Sequence, residues 1–366
     1  MCKQLLAIVF LATFLAPIAA DDPKPAKSED KQPADKDKTL GVGDPAPTLH
    51  ATKWLQGTEV KEFAPNKVYV VEFWATWCGP CIVMMPHMSD LQAEYRDQGV
   101  TFIGFSPKDQ NNTQEKVTAF VEKRGPKLGY TFAYADDRET YTAWMTAAKR
   151  NGIPCSFVVG KDGKIAYIGH PMYLDEVLPK VVAGKWTKED AEGIEKIEAE
   201  VSAVFKAIGG SDAEAGINAL LEFQKKHPKL AGIPYFVGPR INLLLKTKKV
   251  AEARKAAEEV IEKAIKRDDP TALSSVAAIL RSPAANNDKE LLSLSLRAAE
   301  AGLKVTGDKD MFALLNLAET YFALGEKEKA REYGAKAVGA TTGESDAMKK
   351  YVQAQVKKFD DEKKDK

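Results

Sequence analysis

Cysteine and histidine are scarce: four of each in 366 residues. A zinc centre needs about four ligands, in Cys or Cys/His pairs at short spacing. Here one close pair, Cys78 and Cys81, stands beside a distant Cys155 and scattered His50, His87, His170 and His227. That set excludes a zinc clip as the working reading. An excess of charge of one sign is also missing. With 53 basic and 52 acidic side chains, the net charge is +1, which gives no reason to expect a nucleic-acid or other polyanionic partner. Long apolar runs are missing too, and the uncharged stretch from Leu5 to Ala20 falls short of the roughly 20 residues that a membrane-spanning helix needs.

That first stretch reads as a targeting signal over residues 1–20. Lys3 supplies the positive charge, and Ile18-Ala19-Ala20 offers small residues before Asp21-Asp22, which places cleavage after Ala20. The competing reading is an uncleaved signal that holds the protein at a membrane. Cys2 precedes the apolar run and so leaves with the signal rather than accepting a lipid at the cleavage site. Export, to a bacterial periplasm or beyond, puts the mature chain where disulfides form and persist. Three cysteines then remain, an odd number that does not describe a disulfide scaffold and leaves one thiol unpaired or exchangeable. Residues 21–39, rich in Lys, Asp and Pro, cannot bury enough apolar surface to order themselves and read as a disordered tether.

From 40 to 186 the pattern alternates between strands and helices. KVYVVEFWA is a β-branched and aromatic run suited to a buried central strand, and CIVMMPHMSDLQAEYRDQG follows it with Met84, Met88 and Leu91 at helical spacing. VTFIGFS and YTFAYADD read as further strands and QEKVTAFVEKRG and ETYTAWMTAAKRNG as helices. CSFVVGKDGKIAYIG reads as a hairpin turned at Lys-Asp-Gly, and LDEVLPKVVAGKW as a closing helix. The fold class is α/β, a mixed central sheet covered by helices. From 187 to 357 strand signals stop, and successive helices are broken by Gly and Pro. Leu314, Leu317, Ala318, Tyr321, Gly325 and Ala330 follow the spacing of a degenerate tetratricopeptide helix pair, so an all-α helical-repeat region is expected, with a non-repeat bundle as the alternative. YFVGPRINLLLKTK fits such a repeat poorly. Residues 358–366 read as a solvated charged tail.

The spacing of Cys78 and Cys81 narrows their chemistry. A disulfide across two residues closes a tiny loop and removes little entropy from the unfolded chain, which makes an inert staple a poor reason for it. Cys78 follows a strand and opens a helix, where unpaired backbone N–H groups favour the thiolate. The thiolate is the nucleophile of disulfide exchange. Cys81, one turn further in, is placed to attack a mixed disulfide and release the reduced target. Pro80 suits the first helical turn, and Gly79 allows close approach.

Phe73-Trp74-Ala75-x-Trp77-Cys78-Gly79-Pro80-Cys81, with Pro86, resembles the active-site segment of the thioredoxin superfamily. GDPAP at 43–47, the material before GIPCSFVV and the DGKIAYIGHP hairpin resemble the exported TlpA/ResA branch, related to redoxins and peroxiredoxins. The resemblance covers about 40–186. It implies that Glu72 is the buried acid that helps take up the proton of the second cysteine, here Glu in place of the usual Asp and so with a different reach, and desolvation should raise its pKa; the alternative is a Glu at a solvent-facing strand position. It implies that Pro154 is the cis-proline beside the Cys pair, leaving the backbone of Ile153 to pair with a substrate chain. Trp77 would be a partly exposed wall beside a presented Cys78, and Trp74 core. Cys155 departs from the pattern: the plain reading is a buried small side chain, the sharper one a third thiol able to shuffle the disulfide. His87 and His170 read as surface and turn residues.

The leading function is a thiol–disulfide oxidoreductase working as a disulfide reductase on protein disulfides. It needs no cofactor beyond its own dithiol, and the resemblance implies a membrane thiol-electron donor. A thiol peroxidase is the first alternative, although Val71 and Ala75 occupy the places where peroxiredoxins carry Pro and Thr/Ser. The second is a binding protein whose helical tail recruits partners to a thioredoxin-like module.

Overall fold

A computed structural model describes residues 39–360. The expected signal, nearly all of the tether and residues 361–366 lie outside the described residues.

The alternating segment builds β1 (Lys53–Gln56), β2 (Val68–Phe73), α1 (Gly79–Tyr95), β3 (Val100–Pro107), α2 (Gln114–Leu128), β4 (Thr131–Ala135), α3 (Glu139–Tyr141), β5 (Cys155–Val159), β6 (Ile165–Gly169) and α4 (Leu174–Val182). The strands form one six-stranded sheet in the order β1-β4-β3-β2-β5-β6. β2, β3 and β4 run parallel, whereas β1, β5 and β6 join antiparallel to their neighbours. This is a thioredoxin-like mixed sheet. β1 carries no strand signal in the sequence reading, because four residues of KWLQ at a sheet edge show no alternation long enough to detect. The third expected helix is interrupted: α3 widens into a π-helical turn at Thr142–Thr146.

Every residue of β2 is buried, as expected for a central strand covered on both faces. Side chains alternate across the sheet, which sorts Val68, Val70 and Trp74 into one apolar cluster and Tyr69, Val71 and Phe73 into another, with Trp144, Met145 and Phe157. Gly104 on β3 leaves room for Trp74: a Cβ there would lie 2.9 Å from the Phe132 ring and 3.1 Å from Trp74 Nε1.

The rest of the described chain is helical: α5 (Lys188–Ile208), α6 (Ala213–Lys226), α7 (Pro228–Ala231), α8 (Pro234–Lys246), α9 (Val250–Lys266), α10 (Pro270–Leu280), α11 (Lys289–Thr306), α12 (Met311–Ala323), α13 (Lys327–Gly339) and α14 (Asp346–Lys357). Thr187 and Asp190 form a reciprocal capping box that starts α5. YFVGPRINLLLK is helical as α8 despite an internal Pro239.

Composition changes at Trp186, but packing does not divide there. Val204, Leu220, Phe223, Leu230, Ile233 and Phe236 belong to the same apolar cluster as Val70, Trp74 and Cys81, and residues from Thr39 onward form one compact unit. Further out, ion pairs cross from α1 and α2 to the helical part: Asp90 with Arg267, Lys127 with Asp268, Arg124 with Asp269 at 3.7 Å, and Lys123 with Asp310 at 3.4 Å. The segment read as a solvated tail begins differently from expectation. Phe359 is fully buried against the Phe322 ring, and Lys358 bonds Glu319 at 2.7 Å. A single aromatic in a charged run is enough to dock it.

Candidate active site

The C-terminal end of β2 delivers the chain to a short turn and then to α1. Cys78 caps that helix: its Sγ accepts from the Cys81 backbone N–H at 3.2 Å, and the two cysteines are joined as a disulfide. The Cys78 sulfur thus sits at the N-terminus of α1, where a backbone N–H and the positive end of the helix dipole face it. Pro80 lies in the first turn, where its missing N–H leaves no gap in the helix. A Cβ on Gly79 would meet nothing within 4 Å, so the space outside it is open to an incoming chain.

The turn before Cys78 is held by a polar network that the sequence reading missed. Asn112, fully buried, accepts from Thr76 N at 2.8 Å and Thr76 Oγ1 at 2.9 Å. Its amide nitrogen donates to Ser106 Oγ at 2.8 Å and to Pro107 O at 2.9 Å, and Ser106 Oγ donates to Trp74 O at 3.1 Å. In the sequence Asn112 looks like any polar loop residue of QNNTQ; only its burial marks it.

Trp77 is 55 % exposed and donates through Nε1 to Asp109 Oδ2 at 2.8 Å, whereas Trp74 is buried. Cys78 departs from the expected presentation: the residue is only 3 % exposed, and Cys81 is fully buried. The Ile153–Pro154 peptide is cis, and both residues are half-buried at the start of β5, beside the end of β2.

Glu72 lies on the sheet face shared by Val70 and Trp74, the face that α1 and its cysteines cover. It is 1 % exposed, is flanked in register by Gly104 and Ser156, and has a hydrogen-bond partner on neither oxygen among the described residues. Desolvation holds its pKa well above the usual carboxylate range. A buried, unpartnered acid is costly and rare.

Cys155 is on the other face. It pairs with Phe73 across β2 and β5 and packs in the Phe73–Phe157 cluster, while Cys78 and Cys81 belong to the opposite one. It is a free, buried thiol whose pKa burial pushes up to about 12. This placement favours the plain reading of a buried small side chain, because strand alternation puts the thiol on the other sheet face and desolvation suppresses its thiolate. Cys155→Ala should therefore leave disulfide-exchange rates within about twofold of wild type while costing about 1–2 kcal/mol of stability for the lost buried atom, measured by single-turnover oxidation and urea unfolding. A tenfold loss of rate would restore Cys155 to the chemistry.

His87, read as a surface residue, is half-buried and meets Asp175 at 2.6 Å. His170 is in the expected turn: its Nδ1 accepts from Met172 N at 3.1 Å and caps the 3₁₀ turn Pro171–Tyr173. Burial lowers its pKa to about 4, so the ring is neutral at neutral pH. One further residue reaches the site from outside the alternating segment. Tyr235 of α8 donates from its hydroxyl to Pro80 O at 2.8 Å, and its ring meets His170 edge-on at 5.5 Å.

Comparison with known proteins agrees with this geometry. Residues 42–168 match the AhpC/TSA family. The chain is 33 % identical over 152 residues to Protein FixW of Rhizobium leguminosarum, covering 40 % of this chain and 69 % of that one. It is 33 % identical over 162 residues to thiol-disulfide oxidoreductase ResA of Bacillus cereus, covering 44 % and 79 %. Among solved structures, the thioredoxin domain of a thiol-disulfide oxidoreductase from Bacteroides vulgatus aligns at 23 % identity and a TM-score of 0.29, covering 35 % of this chain and 86 % of that one. The family match lies within the sheet-bearing part. With a sheet of this order, a cysteine pair at the mouth of its central strand and relatives of this identity, the chain belongs to the TlpA/ResA-type thioredoxin-like thiol–disulfide oxidoreductases.

Proposed function

We propose that the protein is an exported reductase of protein disulfides that works through Cys78 and Cys81. The observation that carries this reading is Cys78 capping α1, bonded to Cys81, on the sheet face that holds the unpartnered Glu72. In the reduced enzyme the Cys78 thiolate attacks one sulfur of a substrate disulfide. One protein–substrate S–S bond forms, and the substrate S–S bond breaks, releasing one substrate thiolate that takes a proton from solvent. Cys81 then passes its proton to the Glu72 carboxylate and attacks Cys78 Sγ. The mixed disulfide breaks, the second substrate thiolate leaves and takes up the proton held by Glu72, and the new Cys78–Cys81 disulfide has given up the two electrons that the substrate gains. A dithiol donor at the membrane restores the pair.

The Gly79-Pro80 dipeptide supports the reductase direction by analogy with thioredoxin, and the apolar first twenty residues support export. For the helical part, a tetratricopeptide-like pair is supported by α12 and α13: Leu314, Leu317, Ala318, Tyr321 and Ala330 are all buried, and Gly325 makes the turn at φ +82°. Such a pair would bind a protein partner. A peroxidase is less well supported, because Ala75 offers no hydroxyl where peroxiredoxins carry Thr or Ser, and Val71 stands in place of their Pro.

Cys81→Ser tests the mechanism. The full-length variant, mixed with insulin, should accumulate a covalent adduct through Cys78, mapped by mass spectrometry of the linked peptides. An adduct through Cys155, or none where the wild type turns over, would sink the proposal.

A further inference from the structure

The C-terminal edge of the sheet sets out a row of groups across the redox pair. The strand order places the β3 end, with Asp109 and Trp77, on one side of the β2 end, and β5 and β6 on the other. Cys78 follows β2, the cis Ile153–Pro154 peptide opens β5, and Gly169 and His170 close β6 at the same edge, with Gly169 in register opposite Ser156. A substrate chain lying along the Ile153 backbone therefore has Trp77 at one end and His170 at the other.

His170 does not end that row alone. Tyr235, half-buried, comes from α8, outside the residues 42–168 that match the family model, and bridges His170 and the first turn of α1. Its hydroxyl is tied to Pro80 O and its ring to His170, so the side chain is fixed at both ends. It is anchored from behind by Ile233 and Phe236, which are fully buried in the main apolar cluster. Tyr235 thus stands on the β6 side of the first turn of α1 and Trp77 on the β3 side, and Cys78 is only 3 % exposed.

We propose that Tyr235 is a specificity-determining residue, the second wall of the substrate groove, which limits how bulky a disulfide-bearing chain can approach Cys78. The inference rests on the reductase reading and extends it: the helical part is then a component of the active site, and its sieve favours slender or unfolded disulfide segments over folded ones. Sterically, a fixed ring rejects a bulky substrate without weakening a small one.

The test is single-turnover oxidation of the pre-reduced full chain by two probes, insulin and hydroxyethyl disulfide, with the enzyme's thiols quantified by alkylation. Tyr235→Ala should be oxidised by insulin about fivefold faster than wild type, and by the small disulfide within about twofold. Tyr235→Phe, which keeps the ring, should retain wild-type selectivity. Equal shifts for both probes, no shift for insulin, or a Tyr235→Phe variant that behaves like Tyr235→Ala would overturn the inference. Should Tyr235→Ala not fold, Tyr235→Leu keeps the apolar contact, removes the ring and carries the same expectation. If wild type is oxidised by neither probe, the reductase reading fails, an outcome distinct from lost selectivity.

Discussion

Cys78→Ser should reduce insulin in dithiothreitol no faster than dithiothreitol alone, a loss of about a thousandfold or more of the catalysed rate, as removal of a nucleophile produces. The size of the effect follows from position. Cys78 is the residue whose sulfur sits at the N-terminus of α1 and accepts the Cys81 N–H. Cys81 is fully buried within the helix, and Cys155 is buried on the opposite face with its thiolate disfavoured. No other described thiol stands where the helix field acts on it. A serine hydroxyl fits the same cap but does not ionise at neutral pH, so folding should survive while exchange does not. A variant retaining a tenth of the activity would mean that another group starts the reaction.

Glu72→Gln should slow release from the mixed disulfide by about a hundredfold, the usual scale of a positioned general base, and should stabilise the fold in a pH-dependent way. Burial raises the folded-state pKa of Glu72 above its ordinary value. Below the ordinary value both states hold the proton and the residue contributes no pH dependence. As pH rises past about 4.5, the unfolded chain releases a proton that the folded chain keeps, so stability falls by about 1.4 kcal/mol per pH unit until the folded carboxyl itself ionises. Glutamine has no such loss. Urea unfolding of the oxidised proteins should show the variant's advantage widening upward from pH 4.5; parallel stability curves would mean that Glu72 is neither desolvated nor poised to carry a proton.

Much of this site is written locally in the chain. VYVVEF announces a central strand because both sheet faces are covered and each of its six residues is buried, and CGPC announces its helix because cap, proline and spacing are all local. Glu72 stands out for the same reason, an acid inside an apolar strand. What local pattern does not reveal is contact at long range. Tyr235 reaches Pro80 across 155 residues. Asn112 earns its role only once burial turns a polar loop residue into the anchor of Thr76. The change from alternating strands to helices at Trp186 suggests a boundary, yet α5 to α8 send side chains into the cluster around Cys81. An amphipathic helix shows that it has an apolar face, not which surface that face will cover.

If the mechanism holds, Cys78 and Cys81 act together as a single two-electron redox centre. Equilibrating the protein in dithiothreitol buffers of stepped potential, quenching in acid and alkylating for peptide mass spectrometry tests it directly. Cys78 and Cys81 should gain their labels together in one two-electron step, near the roughly −270 mV of thioredoxin, while Cys155 is labelled equally at every potential. A pair that stays oxidised across the range, or a step in which Cys155 loses label as Cys78 gains it, would rule out a Cys78–Cys81 redox centre.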